Sequence, residues 1–312
     1  MISILKKLLS KYTIILLSCI FLFSCNSINS QQVESSEINL KSQESHTQIK
    51  ESSNSKNPIE NANRVVALTS LSADIIHRLD SEKLIAISGS RLLRKDERFQ
   101  NLPQVSEGRT PPNLEKIVAL KPDLVIGATG FHDRTLSKLK ELGIATQSIE
   151  TDSWDSLIET TKSLAKSINA NPNNLLKKYN TLLENIPKSN ISTLVLVSSQ
   201  PILSPNKYSW TGDLLNKLEI KNITKDLQGE SGNRGYITLS EEKILQQNPE
   251  AILVVDPAKK GVLQEFKSKS FWKNLKATKS EKVYSFDYYG LVNPGSIDKI
   301  EETCKKIKEI FS

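Results

Sequence analysis

The chain has 312 residues, 38% hydrophobic and 25% charged, with 12 glycines and 12 prolines; this ordinary globular mix excludes a collagen, a disordered acidic tail and a disulfide scaffold. At roughly 150 residues per domain the length implies two lobes, each able to bury a core. The net charge is +7, but Lys and Arg are spread along the chain and form no basic run interleaved with stacking aromatics, so no nucleic-acid partner is expected.

In chain order, Lys6, Lys7 and Lys11 precede an uncharged stretch over 12–23. That is the layout of a secretory signal, and it is shorter than the ~20 apolar residues a transmembrane helix needs. It ends in Leu22-Phe23-Ser24-Cys25, which resembles the lipobox of bacterial lipoproteins, with Phe23 bulkier than usual. The resemblance implies that residues 1–25 are a signal whose Cys25 sulfur takes a lipid, leaving an exported, membrane-anchored protein in the periplasm or on a cell surface. Leu16-Leu17-Ser18-Cys19 is a second candidate, although cutting there strands an apolar run in the mature chain. Residues 26–62 are Ser, Gln, Asn, Glu and Lys without periodicity, the composition of a disordered tether.

At Arg64 the texture changes to apolar runs alternating with helical spacing. Strands are expected at 65–68, 84–87, 123–126 and 145–149, with helices at 72–79, 114–120 and 135–142. Buried strands alternating with helices imply a parallel sheet covered on both faces. A helix capped by Asp152 runs to Ile168, 169–171 breaks it, and a second from Pro172 to Pro187 would be about 22 Å long at 1.5 Å per residue. The alternation then resumes, with strands at 193–198, 251–255 and 283–286 and helices at 212–218, 239–247, 271–275 and 294–311. The fold class is therefore α/β: two Rossmann-like lobes with parallel sheets, 63–170 and 189–312, joined by a single long linking helix over 171–188, with a ligand cleft between them. Ile297, Ile300, Cys304, Ile307 and Phe311 form one apolar stripe, which makes Cys304 a buried, inert thiol. An exported chain with no cysteine pair left for a disulfide must hold itself by packing.

No phosphate-binding loop or dinucleotide fingerprint is present, and Gly229, Gly232 and Gly235 lack that spacing. The histidines His46, His77 and His132 form no ligand cluster, so no metal site, no cofactor and no catalytic residues are expected; His77 reads as a half-buried helix residue. In open parallel sheets ligands lie beyond the carboxyl ends of the strands. Those ends, with their neighbouring loops, nominate Arg91, Arg109, Phe131, Tyr208, Trp210, Arg234, Tyr236, Tyr288 and Tyr289 as ligand-binding residues. Polar-tipped aromatics beside arginines suit a bulky ligand with acidic groups.

These residues sit in a chain that resembles the periplasmic binding proteins serving ABC importers of iron siderophores, haem and vitamin B12. The resemblance is carried by Arg64-Val65-Val66-Ala67-Leu68-Thr69-Ser70-Leu71-Ser72-Ala73-Asp74, by Asn113-Leu114-Glu115-Lys116-Ile117-Val118-Ala119-Leu120-Lys121-Pro122-Asp123-Leu124-Val125-Ile126, and by Leu239-Ser240-Glu241-Glu242-Lys243-Ile244-Leu245 with Asn248-Pro249-Glu250-Ala251-Ile252-Leu253-Val254. Trp272, Leu275, Lys282-Val283-Tyr284 and Asp287 match the closing portion. It implies a stiff linking helix, a ligand held without chemistry and little closure on binding. It also implies one exposed glutamate per lobe docking into permease arginines: by position Glu115 and Glu242, with Glu241 as a neighbour able to substitute. Asp80 stands where the family commonly has Gly, and Tyr236 where vitamin B12 binders have Trp. With Arg91, Arg109, Lys207 and Arg234 these departures favour an anionic iron chelate, a ferric siderophore, over cobalamin or haem. An exported enzyme acting on a metal complex, or an adhesin without a small ligand, are the readings from other classes.

Overall fold

The computed structural model describes residues 60–312 apart from 108–109, 187–188, 229–233 and 257–260. The signal, Cys25, the tether up to residue 59 and Arg109 lie outside the described residues. The first half runs β1 (Val65–Ala67), α1 (Ser70–Asp80), β2 (Leu84–Ile87), α2 (Arg91–Arg94), α3 (Leu114–Ala119), β3 (Leu124–Ala128), α4 (Asp133–Glu141) and β4 (Ala145–Ile149). Then α5 (Trp154–Ser167) and α6 (Asn173–Leu182) follow. The second half runs β5 (Ser189–Leu196), β6 (Ser198–Ser199), β7 (Ile202–Pro205), α7 (Trp210–Lys217), β8 (Ile220–Asn222), β9 (Tyr236–Thr238), α8 (Glu241–Gln247), β10 (Ala251–Asp256), α9 (Val262–Ser268), α10 (Lys276–Lys279), β11 (Val283–Asp287), α11 (Tyr288–Leu291) and α12 (Ile297–Phe311).

Two all-parallel sheets carry the same winding. Their orders are β2-β1-β3-β4 and, read from the matching edge, β8-β5-β10-β11. Each first strand sits inside its sheet, crosses to an edge through one helix (α1 or α7), and is flanked on its other side by the strand after a short acidic-start helix (α3 or α8). Sequence similarity between the halves is slight, yet the topology repeats. The residues explain the parallel sheets: β1 is fully buried Val-Val-Ala and β10 opens with buried Ala-Ile-Leu-Val-Val, the continuous apolar runs that both-face burial requires. A third, antiparallel sheet in the order β6-β7-β9 has no counterpart in the first half.

Between the halves the chain makes the two expected helices, with different ends. Helix α5 starts at Ser153, not Asp152: Ser153 Oγ accepts the Ser156 N–H at 3.1 Å while Ser156 Oγ accepts the Ser153 N–H at 3.0 Å, a reciprocal capping box. Helix α6 stops at Leu182, so it spans ten residues instead of reaching Pro187. Asn185 there takes a left-handed φ of 52°, a conformation Asn tolerates and a helix cannot continue through. Likewise α12 begins at Ile297 because Gly295 is left-handed and Ser296 Oγ accepts the Lys299 N–H.

One core cluster joins Ile75 and Ile76 of α1, Trp154, Leu157 and Leu164 of α5, Leu214 and Leu215 of α7, and Ile300 and Ile307 of α12. Two smaller clusters cover the outer faces, one on β1 and β3 and the other on β5 and β10. Cys304 is 1% exposed inside the joint core, and burial pushes its thiol up to about 12.

Candidate functional site

The loop between β7 and α7 and residues 234–235 before β9 are held by close backbone packing. Ser209 caps α7, its Oγ accepting the Gly212 N–H and donating to the Asn206 carbonyl. Gly235 has φ +82°, and a Cβ there would stand 2.5 Å from the Tyr208 carbonyl oxygen. Only glycine fits that contact, and it sets Arg234 and Tyr236 beside Tyr208. Tyr208 and Trp210 therefore follow an antiparallel strand and a helix cap, not the carboxyl end of a parallel strand.

A cavity of about 200 Å³ is lined by Tyr208, Ser209, Trp210, Arg234, Tyr236 and Val292 from the second half and Glu150, Thr151 and Asp152 from the first. The structure brings four nominated residues together there: Tyr208, Trp210, Arg234 and Tyr236. Arg91, Phe131, Tyr288 and Tyr289 lie outside its lining. Arg91 opens α2 after β2, and Phe131, 78% exposed, stands after β3 with its ring edge-on to His132 at 4.8 Å. Tyr288 and Tyr289 follow β11, their rings 5.5 Å apart. A larger cavity of about 360 Å³ at the start of β5, lined by residues such as Asn190, Asn216 and Lys221, belongs to the second half alone.

The side chains differ in what they have left to offer. Trp210 is 3% exposed, stacks on Trp154 at 6.0 Å and donates Nε1 to the Gly290 carbonyl at 2.8 Å, so its N–H is taken. Tyr236 is half-buried and hydrogen-bonded to Thr211, and burial pushes its phenol up to about 12. It stays protonated at neutral pH and offers no phenolate. Tyr208 is exposed, with Lys207 Nζ 5.3 Å over its ring. Lys207 itself pairs with Asp226 at 2.9 Å and does not line the cavity. Arg234 Nη1 faces Glu150 Oε1 at 3.8 Å. Thr151 Oγ1 is buried with no hydrogen-bond partner, as is Trp154 Nε1.

Glu150, Thr151 and Asp152 were missed by sequence reasoning, although the signal existed: they follow β4, whose carboxyl end obeys the same rule as those of β2 and β3. His132 is no free base at Nδ1, which accepts the Ala128 N–H at 2.9 Å. Among the described residues no group of three His, Cys, Asp or Glu side chains could hold a metal ion, and no helix is long and apolar enough to cross a membrane.

Glu115 and Glu242 occupy matching places. Each is the second residue of its short helix, after an N-cap whose oxygen accepts a lysine N–H: Asn113 from Lys116, and Ser240 from Lys243. Both are exposed and make no ion pair among the described residues. Glu241 by contrast pairs with Lys269 at 2.7 Å.

Two parallel α/β halves meeting at a cavity to which both contribute define a two-lobed solute-binding protein. The chain belongs to the periplasmic binding protein family, which matches residues 65–289. It is 25% identical over 320 residues to the Fe(3+)-citrate-binding protein YfmC of Bacillus subtilis, covering 98% of each chain. Among solved structures, an ABC transporter substrate-binding protein from Listeria monocytogenes aligns with TM-score 0.67 and 22% identity over 80% of this chain and 98% of that one. Staphylococcus aureus SirA complexed with staphyloferrin B aligns with TM-score 0.64 and 25% identity over 80% and 93%.

Proposed function

We propose that the protein is a lipid-anchored solute-binding protein that captures a small ferric chelate rich in carboxylates and delivers it to the permease of an ABC importer, without transforming it. The observation that carries this reading is the cavity. At about 200 Å³ it is smaller than the roughly 300–1,000 Å³ of typical sites for larger organic ligands, and its wall offers the exposed guanidinium of Arg234. A guanidinium pairs well with carboxylate oxygen. Exposed Tyr208 in its lining supplies aromatic surface for the outer part of a ligand. The full-length likeness to an Fe(3+)-citrate-binding protein supports the same class.

Haem or cobalamin is the alternative within transport, favoured by relatives named as haem uptake proteins. Titrating the protein with ferric citrate, other ferric hydroxycarboxylates, haem and cobalamin, read by quenching of Trp and Tyr fluorescence, separates them. Saturable binding of a ferric carboxylate with weak or no response to the macrocycles is expected. Tight binding of haem or cobalamin without any ferric carboxylate would overturn the reading, and conversion of the bound ligand would make the protein an enzyme.

A further inference from the structure

Within the cavity the guanidinium of Arg234 faces a carboxylate of the protein itself. Glu150 Oε1 stands 3.8 Å from Arg234 Nη1, and the two side chains are 57% and 76% exposed. They come from opposite halves: Glu150 leaves the end of β4, and Arg234 enters β9 beside the fixed Gly235. A pair this open is worth little and is easily exchanged. The geometry points to Glu150 as a specificity-determining residue, an internal carboxylate that a carboxylate of the ferric chelate displaces from Arg234 on binding. The inference rests on the function proposed above.

The exchange has a selective consequence. A ligand carboxylate that reaches Arg234 takes over its pairing, and Glu150 swings into water, where its charge is well solvated. An anionic ligand that does not reach Arg234 meets Glu150 and Asp152 on the same wall, and like charges oppose it. One wall thus repels anions in general and admits the one whose carboxylate replaces its own.

The test is a double-variant cycle on the full chain, titrated with ferric citrate and read by fluorescence quenching. Glu150→Gln should bind about two- to fivefold tighter, the scale of an exposed ion pair. Arg234→Ala should bind more weakly, and Glu150→Gln should gain less on that background, where only the like-charge repulsion is relieved, than it gains with Arg234 present. A weaker-binding or unchanged Glu150→Gln overturns the exchange. So does an equal gain with and without Arg234, which would be a general field effect. Unaltered protein that binds no ferric hydroxycarboxylate refutes the functional reading first and the exchange with it, whereas normal binding with a flat cycle refutes the exchange alone. Both side chains are more than half exposed, and equal thermal midpoints for the variants would show that they fold alike.

Discussion

The imidazole of His132 is 6% exposed, and its Nδ1 accepts the Ala128 N–H, so the neutral ring carries its proton on Nε2. Burial, opposed by nearby Asp133, holds its pKa below the ordinary value of 6.5. A histidine whose folded pKa is lowered contributes stability that is present above the unfolded value and lost as pH falls through the folded one. Thermal midpoints should therefore drop as the buffer is taken from pH 7 toward acid, and His132→Asn, whose amide oxygen can still accept from Ala128, should flatten part of that slope. The slope will not vanish, because burial lowers His77 as well. A His132→Asn variant as acid-sensitive as the unaltered protein would assign the effect elsewhere. The same contrast between residue type and surroundings runs through the site. Sequence names Trp210, Lys207 and Arg234 as polar or cationic groups, but only the folded partners reveal that Trp210 serves Gly290, Lys207 serves Asp226 and Arg234 faces Glu150.

Helix α12 is tied to α1 by a buried charge. Asp74 is fully buried, accepts from Arg78 Nε at 3.0 Å and from the Ile297 N–H, the first amide of α12, at 2.7 Å, and forms an ion pair with Arg98 Nη1 at 2.9 Å. Asp74→Asn keeps the shape and removes the charge that two guanidiniums face. Breaking a buried pair costs about 3–5 kcal/mol, and a loss near 3 kcal/mol is expected because Arg78 and Arg98 retain Asp298, and Arg98 also retains Asp96. Asp298→Asn, 46% exposed, should cost less than about 1 kcal/mol. Urea unfolding that ranked the two equally would remove the buried-charge account. Neither this tie nor the sheet β6-β7-β9 was legible in the sequence. Strands of two to four residues carry too little alternation to read, and Asp74 and Ile297 are 223 residues apart. The long stripes of α1, α5 and α12 were legible because each repeats its period over several turns, and β1, β3 and β10 because burial on both faces makes them continuous apolar runs. The misplaced ends, at Ser153, Leu182 and Ile297, were set by one capping or left-handed residue each, a local signal easily outweighed by the apolar pattern.

At the scale of the molecule, one apolar core spans α1, α5, α7 and α12, so opening the two halves apart would expose buried Ile, Leu and Trp surface at about 25 cal/mol per Å². Such a body suits a carrier that presents the same outer face with or without cargo, and we propose two points of attachment for it. The first is the membrane: Cys25→Ser should abolish incorporation of labelled fatty acid, and labelling that persisted would point to Cys19. The second is the permease. Glu115 and Glu242 sit at equivalent places in the repeated topology, exposed and without ion-pair partners among the described residues, on helices α3 and α8 that each lead into an inner strand. If they grip permease arginines, Glu115→Ala together with Glu242→Ala should abolish uptake and leave ligand affinity intact, since neither lines the cavity. Each single variant should retain partial uptake through the opposite lobe. Lysine at both positions should be worse than alanine, because an arginine socket would then meet like charge, and association with the permease in detergent should weaken as salt rises. Normal uptake by the double alanine variant would end the docking proposal. A joint loss of ligand binding and uptake would do the same, by placing one of these glutamates in contact with the cargo instead of the permease.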